Sequence, residues 1–182
     1  MFASRSAALL AALFLVACSP QTDTDKGKKP LAFNDFENVD GWLADSPYLL
    51  TLSREKAHSG TYSSRVDGNH EFSLGYNNAL SRLSPDWPPK LTVGAWVFVP
   101  NEQASAQLVI EIKQPGKDGK GLLWQGLDLS KAVKLYNQWQ YVEQTITLPD
   151  TAGPQSRLLA YVWRGQSTQP VFMDDLQVTL GK

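Results

Sequence analysis

The chain has 182 residues, with 17 Lys and Arg against 18 Asp and Glu, a formal charge of -1, six Trp and a single Cys. One Cys excludes an internal disulfide framework and a multi-Cys zinc site, and without a basic surplus there is no electrostatic footprint for nucleic acid. An apolar share of 42% with 19% charged residues is the composition of a globular chain rather than a disordered one.

Residues 1–17 are almost wholly apolar, with one charge, Arg5. The apolar run Ala7 to Ala17 is about half of the ~20 residues that a membrane-spanning helix needs, so 1–17 is expected to be a secretory signal peptide. Leu15-Val16-Ala17-Cys18 resembles the lipobox of bacterial lipoproteins. That resemblance implies a lipidated Cys18, carrying palmitate-like acyl chains, as the first mature residue. Two acyl chains supply stable membrane anchoring where one does not, and Ser19 points toward the outer membrane. An ordinary signal peptide with Cys18 a bystander is the alternative. Residues 18–30, after the Cys, hold no apolar side chain other than proline and read as a disordered tether.

The folded domain is expected over 31–182, with 13 basic and 16 acidic residues and a net charge of -3. Its pattern is period two. Leu91, Val93, Ala95, Val97 and Val99 alternate with Thr92, Gly94, Trp96 and Phe98; Leu108, Ile110 and Ile112 alternate with Gln107, Val109, Glu111 and Lys113. The same alternation places Val142, Ile146 and Leu148 on one face, and Leu158, Ala160 and Val162 on another. Successive strand side chains point to opposite faces, so each set marks one face of a sheet. About ten strands are predicted, near 31–37, 47–53, 61–67, 70–78, 90–99, 106–114, 121–128, 139–148, 157–164 and 170–180, separated by Gly, Pro and Asn turn signals. The best helical candidate is a short stretch around 130–136. Strands without helical connections predict an all-β, antiparallel two-sheet sandwich, a jelly roll.

The ends and middle of the domain carry a family resemblance. Phe33-Asn34-Asp35-Phe36-Glu37 opens it, Gly41-Trp42 follows, then Ala57-His58-Ser59-Gly60-Thr61-Tyr62-Ser63, and the last strand holds Phe172-Met173-Asp174-Asp175. Together these resemble the jelly-roll (galactose-binding-like) carbohydrate-binding modules found beside bacterial glycoside hydrolases. The resemblance implies a structural Ca²⁺ tying the first strand to the last, with Glu37 and Asp174 as carboxylate ligands, Asp175 in support, and carbonyls near Asn34, Ser59 and Thr61. Independently, Asp174 shares its phase with Phe172, Leu176 and Val178. An inward carboxylate must be paired, metal-bound or protonated, and oxygen donors suit Ca²⁺. Backbone N–H groups or an Arg could satisfy Asp174 instead.

Aromatics out of phase with the aliphatic face are the candidate sugar platforms, because sugar rings present apolar C–H faces and hydroxyls that need fixed polar partners. The candidates are Trp139, Tyr141, Tyr161, Trp163, Trp124 and Tyr76, with Glu111, Glu143 and Arg164 as polar neighbours. Trp96, Phe98 and Trp124 are also candidates for a core or loop-covered position, and Phe33, Phe36, Trp42 and Phe172 for packing at the domain ends. Glycoside cleavage would need two carboxylates flanking the bond ~5–9.5 Å apart; Glu111 and Glu143 are the pair to examine. No nucleophile turn or phosphate loop is present. The expected function is a lipid-anchored, non-catalytic glycan-binding module of the bacterial envelope. The alternatives are a structural or protein-interaction lipoprotein and a polysaccharide-cleaving enzyme.

Overall fold

The computed structural model describes residues 29–38, 47–85, 88–116 and 118–182. The signal peptide, Cys18, the Gly41-Trp42 pair and most of the tether lie outside them. Among the described residues no helix is long and apolar enough to cross a membrane.

Among the described residues ten strands run in chain order: β1 (Ala32–Asn34), β2 (Leu52–Ser53), β3 (Ser63–Val66), β4 (Tyr76–Ala79), β5 (Lys90–Phe98), β6 (Gln107–Lys113), β7 (Gly121–Asp128), β8 (Trp139–Thr147), β9 (Arg157–Trp163) and β10 (Val171–Leu180). They form two antiparallel sheets. The larger has the order β2-β3-β10-β5-β8, with β1 also pairing β10; the smaller has the order β4-β9-β6-β7. This is the predicted sandwich. The helical candidate shrinks to one turn, α1 (Leu129–Ala132), because Asp128 caps it by accepting from the Ser130 N–H while Val133 is already extended. Residues 47–51 form a 3₁₀ turn rather than the start of a strand.

The alternating aliphatic residues meet between the sheets. Leu91, Val93, Ala95 and Val97 of β5 pack with Leu108, Ile110 and Ile112 of β6 and Leu158, Ala160 and Val162 of β9, all essentially inaccessible to solvent. One polar group crosses this interior. The buried Gln144 of β8 donates to the Leu108 carbonyl at 2.7 Å and accepts from the Gln125 amide at 3.1 Å, so both of its polar ends are satisfied in the dry core.

Strand β10 breaks the simple period. Its register against β5 shifts between Asp174 and Gln177, and Asp175 takes φ 48°. Such a bulge inverts the phase of everything after it. Leu176 and Val178 face the core, whereas Phe172 and Asp174 sit opposite Phe98 and Trp96 on the outer side. The expectation that Asp174 shares a face with Leu176 and Val178 is therefore corrected. Phe36 and Phe172 are buried as expected, but Phe33 is largely exposed.

Candidate functional site

The outer face of the four-stranded sheet is built by the residues out of phase with the core. On β9 these are Arg157, Leu159, Tyr161 and Trp163, alternating with buried Leu158, Ala160 and Val162. Strand β6 adds Glu111 and Lys113, which stand opposite Leu159 and Arg157. Strand β7 adds Trp124, opposite Glu111. The segment before β4 adds Phe72, bridged to Trp163, and β4 itself adds Asn77, opposite Leu159.

The rings on this face form two edge-to-face pairs. Trp124 and Trp163 meet edge to face at 6.5 Å, and Phe72 meets Tyr161 edge to face at 5.7 Å. Trp124 is 53% exposed, which corrects the expectation that it is covered: it stands on β7, the sheet's edge strand. Polar groups orient the rings. The Trp163 indole N–H donates to Glu71 at 3.2 Å. Burial, together with the nearby Glu111 charge, pushes the Tyr161 hydroxyl pKa well up. Glu111 in turn pairs with Lys113 at 3.0 Å. Against Tyr161 and Phe72 lies a cavity of about 520 Å³, lined also by Tyr48, residues 73–77, Glu111, Lys113, Arg157 and Leu159. A second, more open hollow of about 420 Å³ lies beyond Trp163, against Gln103, Ser105, Gln107 and residues 165–167.

The expected sugar-binding set does not stay together. Trp163, Tyr161, Trp124 and Glu111 share this face, but Trp139, Tyr141 and Glu143 lie on β8, on the outer side of the opposite sheet. There Tyr141 lies across Gly94, where a Cβ would fall 2.0 Å from its hydroxyl oxygen, and it accepts a hydrogen bond from Gln177 at 2.7 Å. Trp139 packs edge-on against Phe98 and His58. Tyr76 pairs with Ala160, packs against the core and also lines the 520 Å³ cavity, and burial pushes its hydroxyl pKa up. Arg164 ties down its own turn by donating to the Ser167 carbonyl. Glu111 and Glu143 occupy outer faces of opposite sheets, so they cannot flank one glycosidic bond. Sequence reading missed Arg157, Phe72, Tyr48 and Glu71; Arg157 was within reach, since stepping back by twos from Trp163 arrives at it.

The six residues implied for calcium do gather, around the 58–62 loop. Glu37 accepts from the Thr61 and Tyr62 N–H groups at 2.8 and 2.6 Å. Asp174, with no exposure at all, accepts from the N–H groups of His58, Ser59 and Asp175 at 2.8, 3.1 and 2.7 Å. Burial pushes its carboxyl pKa up, and those three N–H groups oppose the rise. Asp175 meets the His58 ring nitrogen at 2.6 Å and accepts from the Ser59 hydroxyl at 2.8 Å. Asn34 accepts from the Phe36 N–H. N–H donors thus point at the oxygens that a cation would need. Among the described residues no group of three or more His, Cys, Asp or Glu side chains converges to hold a metal ion. The carboxylates clamp the 58–62 loop directly through these bonds.

No protein-family model matches the chain, and no curated protein matches it in sequence. Solved structures do resemble it. One is the C-terminal family 22 carbohydrate-binding module of Clostridium thermocellum Xyn10B, 16% identical, covering 83% of this chain and 94% of that one with a TM-score of 0.51. Another is the CBM22-2 xylan-binding domain of Paenibacillus barcinonensis Xyn10C, 16% identical, covering 84% of this chain and all of that one with a TM-score of 0.50. The chain has the β-sandwich fold of carbohydrate-binding modules.

Proposed function

We propose that the protein is a non-catalytic carbohydrate-binding module, anchored to the bacterial outer membrane by lipid on Cys18, and that it holds a polysaccharide along the outer face of the four-stranded sheet. The observation that carries this reading is the set of rings on that face, Trp124 against Trp163 and Phe72 against Tyr161, the second pair lining a cavity that Asn77, Glu111 and Arg157 also line. Ring faces take the apolar C–H side of sugars while fixed amide and charged groups take the hydroxyls. The shared fold with the xylan-binding domain supports a polysaccharide ligand. Among the described residues lining that cavity Glu111 is the only carboxylate, whereas glycoside cleavage needs a pair, which favours a binding role over cleavage.

The test is retention of the purified full chain by a panel of bacterial, plant and algal polysaccharides, with Trp163→Ala and Tyr161→Ala alongside. Each variant is expected to bind about tenfold more weakly, the factor corresponding to ~1.4 kcal/mol. Retention by no polymer would favour the structural alternative; undiminished retention by both variants would move the site elsewhere. For the anchor, Cys18→Ser is expected to shift the protein from the membrane fraction to the soluble one, and an unchanged distribution would defeat that part.

A further inference from the structure

The cavity against Tyr161 and Phe72 has an unbalanced charge. Lys113 and Arg157 stand directly opposite each other on β6 and β9, an arrangement of like charges that weakens a sheet. Among the described residues that line the cavity, Glu111 is the only carboxylate. Lys113 engages it at 3.0 Å. Arg157 therefore has no acidic partner among the described residues. Its guanidinium is nevertheless held in place: Nε donates to the Asn77 side-chain oxygen at 2.9 Å and Nη2 to the Asn77 carbonyl at 3.2 Å. A guanidinium has five N–H donors, so three remain, on a fork whose orientation is already fixed. This positive spot sits in a domain whose net charge is -3, so general charge balance does not account for it.

Resting on the carbohydrate-binding reading, we propose that the site takes an anionic polysaccharide and that Arg157, with Lys113 behind it, receives an acid group of the sugar while Tyr161 and Phe72 hold its rings. A planar fork with free N–H pairs matches the two oxygens of a carboxylate or of a sulfate ester. A guanidinium fixed before binding loses little side-chain freedom when the ligand arrives. Neutral polymers would leave both cations facing an uncharged ring and gain nothing from them.

The experiment compares retention of the full chain by polygalacturonate and by carboxyl-reduced polygalacturonate, by carrageenan and by its desulfated form, and by neutral xylan. Expected is retention by polygalacturonate or carrageenan that is lost when the acid groups are removed; the arm that is lost tells uronate from sulfate. Arg157→Gln should weaken that retention at least tenfold and Arg157→Lys by less, with melting temperatures close to the parent. Equal retention by neutral or acid-stripped polymers would overturn anion recognition and leave sugar binding standing. Retention by acidic polymers that Arg157→Gln does not change would remove Arg157 from the site. No retention by any polymer, charged or neutral, would overturn the carbohydrate reading along with this one.

Discussion

The imidazole of His58 lies flat against the indole of Trp96, with ring centroids 3.9 Å apart and planes 13° from parallel. Together with the Lys56 ammonium 4.4 Å over the Phe98 ring and the clamp from Asp174 and Asp175, this stack fastens the 54–62 loop over the outer side of the larger sheet. His58→Ala removes a ring stack and a charge-assisted bond, and is expected to lower the unfolding free energy by about 1–2 kcal/mol. Hydrogen exchange should show the backbone amides at 58 and 59 opening faster than the core strands. Unchanged exchange there would mean that the carboxylates alone hold the loop.

The two outer faces make opposite predictions. Trp124→Ala removes a ring that is more than half exposed, so polysaccharide retention should fall about tenfold with little change in melting temperature. Tyr141→Ala removes the hydroxyl that accepts from Gln177 and the ring that covers Gly94. It should cost about 1 kcal/mol or more in a urea titration while leaving retention intact. A binding defect in the Tyr141 variant would place a sugar on the larger sheet.

Gly75, one residue before β4, touches the backbone of β9 so closely that a Cβ would fall 2.0 Å from the Ala160 carbonyl oxygen. Backbone cannot swing aside as a side chain can, so Gly75→Ala must push β4 away from β9. About 1–3 kcal/mol of destabilisation is expected, read by chemical denaturation. The wall that carries Asn77 should shift with it, so retention should weaken as well.

Stability at low pH should follow Asp67. Burial would raise its carboxyl pKa, but the Asn69 N–H, the His70 ring and the Arg65 guanidinium outweigh burial and hold it below the ordinary 3.8. A carboxyl with a lowered folded pKa binds its proton more readily when unfolded. Its contribution is therefore complete above the ordinary value and disappears as pH falls through the folded one. Urea midpoints measured downward from pH 5 should decline, and Asp67→Asn should flatten part of that decline. An equal decline in the variant would assign the acid sensitivity to other carboxyls.

Chelation gives the last test. Because backbone N–H groups engage both Asp174 oxygens and Oε1 of Glu37, thermal unfolding with excess EDTA is expected to coincide with unfolding in millimolar Ca²⁺. A higher melting temperature in Ca²⁺, lost in Asp174→Asn, would show that the loop rearranges around a metal.

Strands were legible in the sequence because half-buried strands write a period of two directly into residue order. β5, β6, β8 and β9 all fall where the alternation of Leu91–Val99, Leu108–Ile112, Val142–Leu148 and Leu158–Val162 puts them. Which strands share a sheet was not legible. β8 and β9 alternate alike, yet β8 pairs with β5 and β9 with β6, and this pairing divides Tyr141 from Tyr161. The phase of Asp174 failed for a local reason, since one residue of positive φ at Asp175 reverses the count. Phe72 and Tyr48 lie outside β4 and β2 and carry no periodic signal at all.

Gln144 has a consequence for precision. Two greasy layers of Leu, Ile and Val can slide over one another by an ångström at little cost, since dispersion has no preferred direction. A side-chain amide bonded to Leu108 on β6 and Gln125 on β7 cannot slide without breaking a contact that has no water to replace it. It works as a locating pin, fixing from behind the two strands whose front carries Glu111 and Trp124. A Gln144→Met protein would keep a filled interior and still lose the indexing of one layer on the other.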